Sequence, residues 1–209
     1  PLTSAALQTE AIKRDLASAK VDASFIAAMN NVSRQINTLS DLVKNLRRLF
    51  AAKNEGFRPF SLREISDEIL ALVMATKKSK AIDFGEDYQS DPIVHGNPVQ
   101  IQQVMINLID NAIEAMDLNG SPRKEIRIAI DETEGFARLT LEDNGGGIHE
   151  DILPLIFDLY KTTKSEGLGV GLWLSKTIID NHNGAIAAAN KPGGGASFEI
   201  RLPLAERTP

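Results

Sequence analysis

The stretch "NPVQIQQVMINLIDNAIEAM", residues 97–116, decides the fold. Asn97 followed by Pro98 marks a helix start. The asparagine side chain can accept free backbone N–H groups of the first turn, and proline suits the first helical position, where no N–H is needed. Ile101, Val104, Met105, Leu108, Ile109, Ala112 and Ile113 then recur at three- and four-residue intervals and build one wide apolar face. Two carboxamides, Asn107 and Asn111, interrupt it one turn apart and share a face. A buried amide without partners costs stability, so this pair must point at something polar.

Outward from this helix, "KEIRIAID" (124–131) and "FARLTLED" (136–143) read as two strands joined by a turn at Glu134-Gly135. A glycine loop, "DNGGGI" (143–148), ends the second. The polar segment "DLYKTTKSEGLGVG" (158–171) follows, then a helix from about Val170 to Asn181. "GAIAAAN" (184–190) and "ASFEIRLPL" (196–204) are final strands around "PGGG" (192–195). Upstream, "FRPFSL" (57–62) is a short strand. Ser61 then caps a helix to about Lys78, with Glu64 three residues on, and "AIDFGE" (81–86) is another strand. Strands and helices do not alternate regularly. The expectation is α+β: a mixed, mostly antiparallel sheet with helices on one face.

The first fifty residues differ. Phe25, Met29, Val32, Ile36, Leu39, Val43, Leu46 and Phe50 follow a heptad spacing, which predicts a helix over 22–52. A preceding helix over 2–19 would pair with it. Two helices make a thin core, so the expectation is a dimeric four-helix bundle. Lys53-Asn54-Glu55-Gly56 is the linker signal, which divides the chain into a helical hairpin, 1–54, and an α/β sandwich, 55–209.

Composition bounds the function. A net charge of −5 argues against a non-specific nucleic-acid surface. The absence of cysteine excludes disulfides and thiolate metal sites. No apolar run is long enough to span a bilayer, and no signal peptide is visible. The chain starts at Pro1 without a methionine and reads as a piece of a longer protein, with a cytoplasmic location expected and no membrane contact of its own.

Three glycine clusters fall in order, at 145–147, at 167, 169 and 171, and at 193–195. "GLGVG" follows no strand and precedes no Lys-Ser/Thr, so it is neither a dinucleotide fingerprint nor a Walker loop. It opens directly onto a helix, and backbone amides there bind phosphate well. The amides of Val170, Gly171 and Leu172 are therefore candidates for a polyphosphate. Such nucleotides arrive with Mg²⁺, which takes oxygen ligands, and the Asn111 carbonyl is one. Asp143 is placed to accept the amino group of adenine. Lys164 can reach a terminal phosphate.

In these residues the sequence resembles the sensor histidine kinases, within the Bergerat-type ATP-binding superfamily. Four boxes stand in order: "QVMINLIDNAIEAM", "DNGGGI", "IFDLYKTTK" and "GLGVGL", closed by "GGGASFEIRLPL". Their style is most similar to sensors of oxygen, nitrogen status and dicarboxylates. The resemblance implies ATP and Mg²⁺ as ligands, Asn111 as metal ligand, and Asn107 positioning phosphates or a water. It implies Asp143 as the adenine carboxylate, with Gly145, Gly147 and Ile148 shaping the base pocket. Tyr160, Thr162, Thr163 and Lys164 would form the mobile lid, with Asn107 and Lys164 as the catalytic pair. Gly167, Leu168, Gly169, Val170, Gly171 and Leu172 would form its hinge and phosphate cradle, and Ser197 would lie under the adenine.

The same resemblance implies a homodimer through the hairpin, a response-regulator receiver domain as partner, and an upstream sensor domain. "PLTSAAL" is similar to the tail of the family's phosphoacceptor motif, so the acceptor histidine is expected just before Pro1 and none in this chain. His95, His149 and His182 read as surface histidines. Leu159 and Tyr160 replace the usual proline and phenylalanine of the third box. Glu114 stands where relatives often carry a cation, which shifts charge compensation to Mg²⁺ and Lys164 or lets Glu114 order a metal-bound water. Two other readings remain: an ATP-driven conformational clamp, and a Bergerat-fold module that binds ATP without phosphorylating histidine. The clamps place a glutamate base where this chain has Asn107.

Overall fold

The computed structural model describes residues 28–33, 36, 56–75, 82–159 and 169–205. The chain forms two compact units, one of residues 1–53 with 164–168 and one of 54–163 with 169–209. In the first, residues 28–33 and 36 are helical; the seam position Val32 is exposed and its neighbour Ser33 buried. The rest of the expected hairpin, and the bundle, lie outside the described residues.

The second unit runs β1 (Arg58–Ser61), α1 (Leu62–Met74), β2 (Ile82–Tyr88), β3 (Ile93–Gly96), α2 (Pro98–Leu118), β4 (Lys124–Thr133) and β5 (Phe136–Asp143). After a short 3₁₀ turn at Leu153–Leu155 come α3 (Gly171–Asn181), β6 (Ala185–Asn190) and β7 (Ala196–Pro203). Five strands form one sheet in the order β2-β4-β5-β7-β6. Only β2 and β4 run parallel; the other pairs are antiparallel. The mixed, mostly antiparallel sheet is therefore present.

Alternation sets its two faces. Ile126, Ile128 and Ile130 on β4, Ala137, Leu139 and Leu141 on β5, and Phe198, Ile200 and Leu202 on β7 are buried. Helix α2 packs on β4 and β5, α3 on β6, and α1 on α2, so the helices share that face. Both predicted caps form. Ser61 Oγ accepts the Glu64 N–H at 2.9 Å, and Asn97 Oδ1 accepts those of Val99 (3.0 Å) and Gln100 (3.3 Å). The hairpin between β4 and β5 turns at Glu134 (φ 50°) and Gly135 (φ 83°), both left-handed, as a tight turn with the strands' own twist requires.

The second, two-stranded sheet pairs β1, the short strand expected at 57–62, with β3, which is not in the expected strand set. Its strand "IVHG" is four residues long and buries only Val94 and Gly96, too little for alternation to register. Among the described residues no helix is long and apolar enough to cross a membrane.

Candidate nucleotide site

Helix α2 carries Asn107 and Asn111 on the face that meets α3 and the loop after β5. Asn107 Nδ2 donates to Ser175 Oγ of α3 at 2.9 Å. Gly171 opens α3 against the same side chain: a Cβ there would stand 2.4 Å from Asn107 Oδ1. Glycine is required here by close approach and not by backbone conformation. Val170 precedes α3, and no side chain caps the helix, so its first amides are not taken by a capping side chain.

One further turn along α2 brings Ala115 to the other end of the site. A Cβ on Gly145 would lie 3.1 Å from the Ala115 backbone and side chain. Gly145 follows Asp143, the last residue of β5, which is 2 % exposed. Asp143 Oδ1 accepts the Gly145 N–H (2.7 Å) and the Ala196 N–H (3.3 Å). Both donors converge on one oxygen, and among the described residues no donor reaches Oδ2. Burial is the largest influence on the carboxyl and raises its pKa; the Gly145 and Ala196 amides and the Lys191 ammonium partly oppose it.

Asn190 and Lys191, outside the four boxes, and Asn144, inside the second, brace this loop. Asn190, at the end of β6, clamps Ile148 with two bonds of 2.7 Å, accepting its N–H and donating to its carbonyl. Asn144 accepts the Glu125 N–H (3.0 Å) and donates to the Arg123 carbonyl (2.8 Å). Lys191 Nζ donates to the Asp143 carbonyl (3.2 Å) and pairs with Glu142 (3.2 Å). Gly195 turns with φ +89°, and a Cβ there would fall 2.1 Å from the Asp143 carbonyl oxygen. On the open sheet face, a cavity of about 400 Å³ between Gly85, Arg127, Glu142 and Lys191 touches the site only through Asp143 and Asn144.

The structure thus brings Asn107, Asn111, Asp143, Gly145, Gly147, Ile148, Gly169, Val170, Gly171 and Leu172 into one unit. Tyr160, Thr162, Thr163, Lys164, Gly167 and Leu168 lie outside the described residues. Ser197 lies in the same unit but faces away from Asp143. It pairs with Glu142, so its side chain is on the sheet face opposite Asp143. Its neighbour Ala196 is buried and meets the carboxylate through its N–H. The expected surface histidines also need one correction. His95 and His149 are exposed, but His182 is 4 % exposed, and burial lowers its pKa below the ordinary 6.5.

The family described as "Histidine kinase-, DNA gyrase B-, and HSP90-like ATPase" matches residues 96–206, which hold α2, the glycine loops and the closing strands. The chain belongs to this family. The sensor protein FixL of Bradyrhizobium diazoefficiens is 32% identical over 183 residues, covering 86% of this chain and 36% of its own. The sensor histidine kinase TmoS of Ectopseudomonas mendocina is 30% identical over 180 residues, 85% of this chain and 18% of its own. The chain thus spans only part of these relatives. Among solved structures, the catalytic domain of the histidine kinase ThkA is 31% identical with a TM-score of 0.63, over 71% of this chain and 95% of that one. This ATPase-family domain is the ATP-binding domain of the sensor histidine kinase type.

Proposed function

We propose that the chain carries the catalytic core of a sensor histidine kinase, with Mg-ATP lying along α2, its base at Asp143 and its phosphates at the start of α3. The observation that supports this most is the succession Asn107, Asn111, Ala115 on one helical face. Asn107 abuts Gly171 and Ser175, and Ala115 abuts Gly145 beside Asp143. Eight residues of helix span about 12 Å at about 1.5 Å each, room for an extended nucleotide triphosphate.

Each residue has a chemical task in this reading. Asp143 Oδ2 accepts an exocyclic amino group, which selects adenine over guanine. The amides opening α3 receive phosphate oxygens. Among the described residues no group of three or more His, Cys, Asp or Glu side chains is arranged for a metal, so a cation here would rest on a neutral ligand and the substrate's own phosphates. Asn111 fits that role through its carboxamide oxygen. Magnesium, when bound, neutralises phosphate charge. Asn107, held by Ser175, orients the phosphate end and is an amide that cannot accept a proton, which disfavours the hydrolytic clamp reading. Thr162, Thr163 and Lys164 supply the lid.

Transfer to a neutral imidazole depends on positioning and charge neutralisation, and no protein carboxylate has to deprotonate it. We place the acceptor histidine outside this chain, since "PLTSAAL" resembles only the tail of the family's acceptor motif and none of His95, His149 and His182 occupies a matching place; both ring nitrogens of buried His182 are also engaged. Residues 1–54 would dimerise and present that acceptor, a sensor domain would precede them, and a response-regulator receiver domain would take the phosphate in the cytoplasm. Titration calorimetry tests the core of this. ATP with Mg²⁺ should bind, GTP should bind far more weakly, and Asn111→Ala should lose the magnesium dependence. Equal affinity for ATP and GTP overturns the assignment of Asp143. Radiolabelled ATP should leave this chain unlabelled and label an upstream-extended form with acid-labile, base-stable phosphate.

A further inference from the structure

Helices α2 and α3 run antiparallel and are tied at both ends. Asn107 meets Gly171 and Ser175 at the site end. At the far end, His182, just past α3, accepts the Asn97 N–H on Nε2 at 3.0 Å. That nitrogen is therefore unprotonated, so Nδ1 carries the hydrogen and donates it to the Ile178 carbonyl at 2.7 Å. The ring is thus fixed in one tautomer and bonded to both helices. Asn97 is itself the cap of α2.

The ring has no room to drift. A Cβ on Gly96 would meet its Cδ2 at 2.3 Å, and Phe57 stacks on it with centroids 4.7 Å apart and planes 23° from parallel. From Asn97 to Asn107 is about 15 Å of helix and from Gly171 to His182 about 16 Å, at about 1.5 Å per residue. The peg and the site thus lie at matching depths along two stiff rods. A slip of the ring at one end becomes a slip of the α3 amides against Asn107 and Asn111 at the other. Sub-ångström placement of such groups governs binding and transfer.

We propose that His182 is a positioning residue for the nucleotide: it sets the axial register of α3 against α2, and through it the distance between the α3 amides and the two asparagines. The residue touches neither nucleotide nor metal. This inference rests on the reading of the site as a Mg-ATP site.

The test measures Mg-ATP affinity by calorimetry alongside thermal stability. His182→Phe keeps a ring for Phe57 to stack on and removes both hydrogen bonds. A folded His182→Phe chain should bind Mg-ATP about tenfold more weakly, within the usual range of coupling between separate sites. Unchanged affinity in the folded variant overturns the proposal. A second measurement needs no variant. In ¹⁵N-labelled wild-type protein, the Nε2 resonance of His182 and the amide resonance of Asn97 should move as Mg-ATP is added. If both stay fixed while nucleotide binds, His182 is only a structural residue. A wild-type chain that binds no Mg-ATP instead defeats the site reading itself.

Discussion

Gly171 is the position where the smallest possible change should cost most at the site. In Gly171→Ala the new methyl would lie 2.4 Å from Asn107 Oδ1, 3.2 Å from its Cγ and 3.3 Å from its Nδ2. All three are one short side chain, so the amide has to swing away and give up its 2.9 Å bond to Ser175. Losing that bond costs about 1 kcal/mol, and the residual crowding costs about 1–3 kcal/mol. Against this, alanine in a helix gains up to about 1 kcal/mol over glycine, and less at the first position. The balance is a loss of about 1–3 kcal/mol, a fall in Tm of roughly 2–10 °C for a domain of this size.

The control is the same substitution in an Asn107→Ala background, where the methyl has no amide to strike. There Gly171→Ala should be neutral or slightly stabilising, so urea denaturation of the four proteins should return a coupling of about 1 kcal/mol or more between the positions. Mg-ATP affinity should fall in Gly171→Ala for the same reason. If the substitution costs as much without Asn107 as with it, the contact between the two helices is not what requires glycine, and the account of the phosphate end is wrong.

Three further outcomes are expected. Asp143→Asn keeps the acceptor for Gly145 and Ala196 but removes a carboxylate whose pKa burial raises. A raised pKa means native stability is full below the ordinary 3.8 and declines as pH rises through the folded value. The variant should therefore match or exceed the wild-type Tm at neutral pH and lose that advantage in acid, while ATP affinity drops about 10- to 100-fold through loss of a charged acceptor. Gly195→Ala should destabilise by about 3 kcal/mol or more, adding a clash with the Asp143 backbone to the strain of φ +89°. Gly193→Ala, with φ +94° and nothing within 4 Å, should show the strain alone, and equal losses would remove the clash. Burial lowers the pKa of His182, so its contribution to stability is full above 6.5 and declines as pH falls; neighbouring His95, which opposes its charging, acts in the same direction. Denaturation midpoints of wild type and His182→Phe should diverge at neutral pH and converge in mild acid.

Much of this domain was legible in the sequence because its signals are local. Asn97-Pro98 announces α2, the apolar spacing gives its buried face, and alternation gives β4, β5 and β7. Asn107 and Asn111 stood out because a polar residue on an apolar helix face has to be explained, and Asp143 because an acceptor stands just before a glycine loop. What failed to register depends on contacts far apart in the chain. His182 sits in the polar run "DNHNG" with nothing local to mark it as buried. Its partner Asn97 is 85 residues away. Asn190 braces the base loop across 42 residues and looks like an ordinary turn asparagine.

Ser197 shows the sharper limit. A hydroxyl near the end of a strand beside a glycine turn is a reasonable neighbour for a nucleotide base, and the strand itself was found. Yet side chains on a strand alternate, so an error of one position places the residue on the opposite face. The pairing of Ser197 with Glu142 settles the face, and Ala196, which has no side-chain donor, meets the carboxylate through its backbone. Where the backbone itself is the binding group, residue identity carries little signal. What the sequence can record there is the small residue that lets the backbone approach, as Gly195 does against Asp143. Such sites are better sought by asking where a Cβ would not fit than by looking for reactive side chains.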